Sequence, residues 1–563
     1  MPGFARRARG RGRAAIACLG LAGGLAAASP VASHGTQPQV RVRQGILRGV
    51  EAGGPVVAYK GIPFARPPVG DLRWRPPVPA PAWKGVREAT RFGNACLQPP
   101  SDPKGLYSGS MAATSEDCLT LNVWAPAGAR KLPVMVWIHG GALAGGSSSE
   151  SLYDGAKLAR QGIVFVSINY RLGLFGYLAH PALSAESPQH LSGNYGLLDQ
   201  IAALRWVHDN IAAFGGDSSR VTIAGESAGG LSVIALLASP QARGLFGKAI
   251  TQSGYMPSYR TLHDATRGLL SGEDGGTALA KAAGLATVAE LRAADLPTLF
   301  KAGLATGWQP EPVIDGVVLK RQFAETFARG EQARVPVLAG FNEGEIRSLL
   351  FLMPRGVPAD QAAYQADIGR RFGADAPAFL KVYPGADPKA DAMASMRDAI
   401  YGWAAQNVAR RQAAMGQPAY LYFFRHSTPA ERARDLAAFH ASEIPYIFGQ
   451  VGADGALGPN WPRPPLDRTE ARLSDAMMRY WVSFVKTGVP AASGEAVWPR
   501  YTANGREYLD IDDRPSARRD LLPGTFDLAD ALVSRRMRQD QGWRLDTGFS
   551  AFPAAAEDAG GRR

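Results

Sequence analysis

A serine acting as a nucleophile needs a backbone that lifts its hydroxyl clear of the chain, and VTIAGESAGG, Val221 to Gly230, has the residues for it. A β-branched run ends in Gly225-Glu226-Ser227-Ala228-Gly229, and small apolar residues able to continue as a helix follow. Strand, sharp turn and helix in that order put Ser227 at a strained turn, with flanking glycines removing Cβ atoms that would clash. The G-x-S-x-G pattern is short enough to arise by chance in a chain with 65 glycines, so the reading depends on partners. The chemistry requires a base to take the serine proton, an acid to orient that base, and N–H donors for a tetrahedral oxyanion.

Donors are offered by His139-Gly140-Gly141-Ala142-Leu143-Ala144-Gly145-Gly146, which follows the continuous apolar run Pro133 to Ile138. No Gly-Lys-Ser/Thr follows, which excludes a phosphate loop; an oxyanion loop of the His-Gly-Gly type fits. In a nucleophile-elbow fold, acid and base come after the serine, in that order. Of eight histidines, only His263, His426 and His440 come after Ser227. His426 reads as a strand-end loop residue, and the earlier His208 reads as a core histidine on the apolar stripe of a helix. Following a strand at Val335 to Ala339, the run Gly340-Phe341-Asn342-Glu343-Gly344-Glu345 leaves two carboxylates, Glu343 and Glu345, as candidate acids.

Positioning these groups needs a sheet whose strands end near one another. Pro133 to Ile138 and Ile163 to Asn169 are continuous apolar runs, as in parallel strands buried on both faces. Leu198 to Phe214 repeats apolar residues at Ile201, Leu204, Val207, Ile211 and Phe214, a helical stripe stopped by Gly215-Gly216. Further strands are expected at 221–224, 249–251 and 419–424. The order strand, loop, strand, helix, strand, helix is that of an α/β sheet. Earlier in the chain, Val40 to Val57 suits a hairpin. Gly61 to Gly70 with Leu72 to Pro77 reads as a proline-stiffened surface run, neither helix nor central strand. Ser115 to Trp124 reads as a short alternating strand. The Ala-rich stretches 258–334 and 348–418 read as helical insertions over the sheet edge that carries the site.

The 563 residues are enough for one large α/β enzyme. Met1 to about Ser33 reads as a secretory signal peptide: five arginines precede a short apolar stretch ending in small residues, too short to span a bilayer. Its removal lowers the formal charge from +13 to about +8. The remaining basic residues are scattered rather than interleaved with aromatics, which argues against nucleic-acid binding. Export places the protein in a secreted or periplasmic, oxidising compartment. With Cys18 in the leader, Cys96 and Cys118 form the one possible disulfide of the mature chain; free buried thiols are the alternative if the leader is misread. The tail, 547–563, reads as disordered.

Taken in chain order, GIPFARPPVGDLRW, SEDCLTLNV, HGGAL, NYRLGLFGYL, GNYGLLDQIAALRWVHDNIAAFGGD and GESAGG resemble the type B carboxylesterase family of α/β-hydrolases, over about 40–498. The resemblance implies one α/β-hydrolase domain, 34–546: a central, mostly parallel sheet flanked by helices, with helical insertions over the active site. It implies a serine carboxylesterase that needs no cofactor or metal, acts on a small-molecule ester and has no stable membrane insertion. Ser227 would be the nucleophile. FHASEIPYIFG is similar to the family's histidine loop and makes His440 the base. Counting from Gly340 without a gap gives Glu345 as the acid, while aligning on Glu-Gly would give Glu343. The ungapped count is preferred, because a two-residue shift at a strand end re-aims the side chain. Gly141, Ala142 and Ala228 would supply the oxyanion N–H groups, and Cys96 and Cys118 match the family's pair. The rivals are a lipase acting on longer-chain lipid esters and a non-catalytic binding protein of the same fold. The second is disfavoured because candidates for all three triad residues are present.

Overall fold

The computed structural model describes residues 38–109, 111–353, 358–452 and 456–543. The expected leader, 1–33, and the expected tail, 547–563, lie outside the described residues. Eleven strands form one sheet: β1 (Val50–Glu51), β2 (Val56–Pro63), β3 (Thr120–Pro126), β4 (Leu132–Ile138), β5 (Val164–Ile168) and β6 (Gly216–Glu226), then β7 (Lys248–Gln252), β8 (Val337–Asn342), β9 (Ala419–Phe424), β10 (Tyr508–Ile511) and β11 (Pro515–Arg518). Their spatial order is β11-β10-β9-β8-β7-β6-β4-β5-β3-β2-β1. Every pairing from β5 across to β10 is parallel. Antiparallel pairings are confined to the two edges.

The central strands are apolar throughout because both of their faces are covered. Along β4, Val134, Val136 and Ile138 enter one apolar cluster while Met135 and Trp137 enter the other. The first cluster takes residues from α1 (Tyr195–Asn210) and α2 (Ala228–Ala238); the second takes Trp481 and Phe484 of α3 (Arg468–Thr487). Helix α1 passes into a 3-10 turn, Ile211–Phe214, and stops at Gly215, whose φ of +78° is left-handed. Parallel strands also bring their C-terminal ends to one edge, where ligand sites of open α/β sheets lie. Among the described residues no helix is long and apolar enough to cross a membrane.

Several local expectations need correction. Gly61-Ile62-Pro63 is not loop but the end of β2, beyond a register shift between Tyr59 and Ile62. Proline is tolerated there because it closes the strand after the irregularity. Phe64 and Trp74 of the same run are buried, not surface residues. Strand β3 starts at Thr120 and is buried on both faces rather than alternating, since Leu121 and Val123 enter one apolar cluster and Trp124 the other. His208 is not in the core: its side chain is 54% exposed beside Asp209. It belongs to the last turn of α1, where the helix ends and the ring can reach water. The Ala-rich insertions are helical as expected, with Gly272–Ala283 and Leu296–Thr306 in the first and Gln361–Phe372, Pro388–Arg397 and Trp403–Ala414 in the second.

Candidate active site

Ser227 follows the last residue of β6 and caps α2 with φ +57° and ψ −121°. Non-glycine residues rarely adopt such a conformation, which costs about 1–3 kcal/mol and is stored where surrounding structure enforces it. Its N–H donates to the Gln252 carbonyl on β7 at 2.9 Å, and its carbonyl accepts from Leu231 N–H at 2.8 Å. The turn closes this tightly because Gly229 has no side chain: a Cβ there would lie 2.0 Å from the Ile138 carbonyl oxygen. Ser227 is half-buried while its neighbours Glu226 and Ala228 are buried, so the hydroxyl is the accessible group of the turn.

The loop after β4 lies against this turn. A Cβ on Gly140 would sit 3.2 Å from Ser227 Cβ. Gly141, Ala142 and Leu143 all have positive φ, at 102°, 55° and 58°. The Gly141 carbonyl accepts from Ala144 and Gly145 N–H at 3.0 and 2.9 Å, and Gly141 and Ala142 are exposed. His139 is buried and stacks on Tyr170 at 4.6 Å; burial lowers its pKa to about 4, so it is neutral and serves as packing.

His440 and Glu345 meet although 95 residues separate them: His440 Nδ1 donates to Glu345 Oε2 in a short hydrogen bond. The other carboxylate oxygen, Oε1, accepts from Ser253 Oγ at 2.6 Å and from Asn342 N–H at 2.8 Å. Glu345 is fully buried, and its three donors fix its orientation. Glu343, two residues earlier, is exposed. The remaining candidates lie elsewhere. His263 is half-exposed beside Glu273 at 3.1 Å. His426 follows β9 as expected, yet it is buried, held between Asp513 Oδ1 at 2.8 Å and Glu470 Oε1 at 3.0 Å. Cys96 and Cys118 are joined by a disulfide.

His440 Nε2 faces Glu226 Oε1 at 3.1 Å. Burial disfavours the charged ring, but the carboxylates of Glu226 and Glu345 outweigh it and raise the His440 pKa to about 9. Burial is also the main reason Glu226 is raised, to about 8; His440 opposes the rise while Glu443 and Glu345 add to it. Glu443 is pushed up by burial too, and is held by Asn342 Nδ2 at 2.6 Å and Gln252 Nε2 at 2.9 Å.

Reading the sequence missed Ser253, Asn342, Gln252 and the direction of Glu226. All four end or directly follow strands β6, β7 and β8, and that position was the available signal. Chemically, the arrangement offers a hydroxyl on a strained turn, a glycine-rich backbone loop against it and a carboxylate-held imidazole, the components of acyl transfer.

Known proteins are similar to this chain in sequence and in fold. Residues 36–527 match the model of the carboxylesterase family. A fumonisin B1 esterase of Sphingopyxis macrogoltabida is 39% identical over 522 residues, covering 89% of this chain and 92% of that protein. A para-nitrobenzyl esterase of Bacillus subtilis (strain 168) is 36% identical over 490 residues, covering 85% and 95%. Among solved structures, a PNB esterase superimposes with a TM-score of 0.76 at 34% identity, over 88% of this chain and 99% of that one.

Proposed function

The chain belongs to the carboxylesterase family and is a carboxylic ester hydrolase with the α/β-hydrolase fold, and from that premise we propose that it works through an acyl-enzyme on Ser227. His440 Nε2 takes the hydroxyl proton as Ser227 Oγ attacks the ester carbonyl carbon. Glu345 holds the imidazole in the tautomer with hydrogen on Nδ1 and stabilises the imidazolium that forms. The N–H groups of Gly141, Ala142 and Ala228 receive the developing oxyanion. Losing one such donor typically costs about 2.7–4 kcal/mol of transition-state stabilisation. The tetrahedral species collapses, His440 gives its proton to the leaving alkoxide, and the alcohol departs. Water then enters, His440 removes its proton as the oxygen attacks the acyl carbon, and the second tetrahedral species breaks its bond to Ser227 Oγ, which takes the proton back from His440 as the acid leaves.

The observation that carries this reading is the Glu345–His440 contact, with Glu345 fixed by two further donors and each of the three residues just past the end of a parallel strand or in a loop packed against it. Export to a secreted or periplasmic compartment, with residues 1–33 as the leader, is part of the same proposal and is supported by the Cys96–Cys118 disulfide. The test is hydrolysis of p-nitrophenyl esters of increasing acyl length by the wild-type protein and by Ser227→Ala. Turnover of short esters that disappears in the folded variant supports the reading; retained turnover overturns it. A preference for long acyl chains that appears only at a lipid interface would make the enzyme a lipase instead.

A further inference from the structure

The disulfide closes a loop, and that loop reaches two sides of the site. At its start, Gln98 Nε2 donates to the Gly146 carbonyl and Gln98 Oε1 accepts from Gly146 N–H, both at 2.9 Å, pinning the glycine-rich loop. Near its middle, Tyr107 lies over the histidine loop, its ring 6.5 Å from His440 edge-on, 6.4 Å from Phe439 and 6.0 Å from Trp461. The Tyr107 hydroxyl is 3.0 Å from the His440 backbone carbonyl oxygen and 2.7 Å from Ser348 Oγ. A phenol has one proton, which the His440 carbonyl and Ser348 Oγ share as acceptors, and the Ser348 hydroxyl in turn donates to the Glu345 carbonyl at 3.4 Å.

Tyr107 is 42% exposed, but the loop on either side of it is held. Asn460 Nδ2 donates to the Pro103 carbonyl at 2.8 Å, to the Gly105 carbonyl at 3.1 Å and to Ser108 Oγ at 3.0 Å. The phenol therefore joins three segments: the disulfide loop, the 3-10 turn Glu345–Ser348 that begins with the acid, and the residue that carries the imidazole.

We propose that Tyr107 is a positioning residue for ester hydrolysis, its phenol bridging the His440 carbonyl and Ser348 so that the imidazole and the Glu345 carboxylate keep their register. This rests on the serine-esterase reading above. A misplacement of about 1 Å in such a constellation can cost up to about 10²-fold in rate.

The experiment compares wild type, Tyr107→Phe, Ser348→Ala, the double variant and Ser227→Ala. It measures kcat and KM for p-nitrophenyl acetate, the rate of covalent labelling by a fluorophosphonate, and Tm. Tyr107→Phe keeps the ring and deletes the bridge; kcat and the labelling rate should fall together by about tenfold, with KM within about twofold and Tm unchanged. Ser348→Ala should give a smaller loss that adds nothing to Tyr107→Phe. Activity of Tyr107→Phe within twofold of wild type overturns the proposal, as does a raised KM with kcat and labelling unchanged, which would make Tyr107 a substrate contact. Turnover retained by Ser227→Ala overturns the underlying reading, and the Tyr107 role with it.

Discussion

Replacing Glu226 by Gln should displace the pH dependence of catalysis toward lower pH. As the proposed base His440 must be neutral, and the carboxylates beside it outweigh the opposing effect of burial and raise its pKa to about 9. Glu226, 3.1 Å from Nε2, contributes the largest of the raising interactions. Two unit charges at about 3 Å and an effective dielectric of about 20 interact with about 5 kcal/mol, equal to about 4 pH units. The observable shift is smaller, since burial also raises the Glu226 pKa, to about 8, and Glu226 and His440 titrate as a coupled pair. Glu345 also remains in place, leaving a net displacement of about 1–2 units. The sign is fixed: removing a negative charge destabilises the imidazolium, so the limb where activity rises with pH must move down. The assay is kcat/KM for a p-nitrophenyl ester from about pH 5 to 10, corrected for spontaneous hydrolysis, with the isosteric amide preserving the packing against Gly140. A limb that stays within about 0.3 unit of the wild-type position, or moves upward, would refute the claim that this carboxylate controls the base.

The acid assignment gives a ranking. Glu345→Gln should lower kcat by about 10³–10⁴-fold, as loss of a triad carboxylate does, whereas Glu343→Gln, an exposed carboxylate, should stay within about twofold; steady-state kinetics decide, and the reverse order would transfer the role to Glu343. Gly229→Ala places a Cβ 2.0 Å from the Ile138 carbonyl oxygen, so the start of α2 must shift. Thermal unfolding should report a loss of about 1–3 kcal/mol together with a fall in kcat, and an unperturbed variant would show that the turn is less tightly packed than described.

The turn that holds Ser227 was legible because its residues are consecutive: a β-branched run, two glycines and a helix former settle strand, turn and helix locally. The parallel sheet was legible for a similar reason, since strands covered on both faces leave unbroken apolar runs. What escaped notice depends on strand order. Ser253 and Asn342 reach the same carboxylate oxygen from the ends of β7 and β8, and only the adjacency of those strands brings them together. His426 was placed correctly after a strand, but its hydrogen-bond partners, Glu470 and Asp513, are 44 and 87 residues away. His208 was misplaced because a periodic stripe carries no information on where the surrounding cover ends. Gly61 to Pro63 was misread because proline chemistry argues against a central strand but not against the last residue of one beyond a bulge.

The most direct measurement of the central claim is covalent trapping. The protein is mixed with a p-nitrophenyl carbamate, whose carbamoyl-enzyme hydrolyses slowly, and then analysed by intact mass and by peptide mapping. One carbamoyl adduct per chain, carried by the peptide that contains Ser227 and absent from Ser227→Ala, is the predicted result. Ester turnover by wild type with no adduct, or an adduct on another residue that persists in the variant, would contradict it.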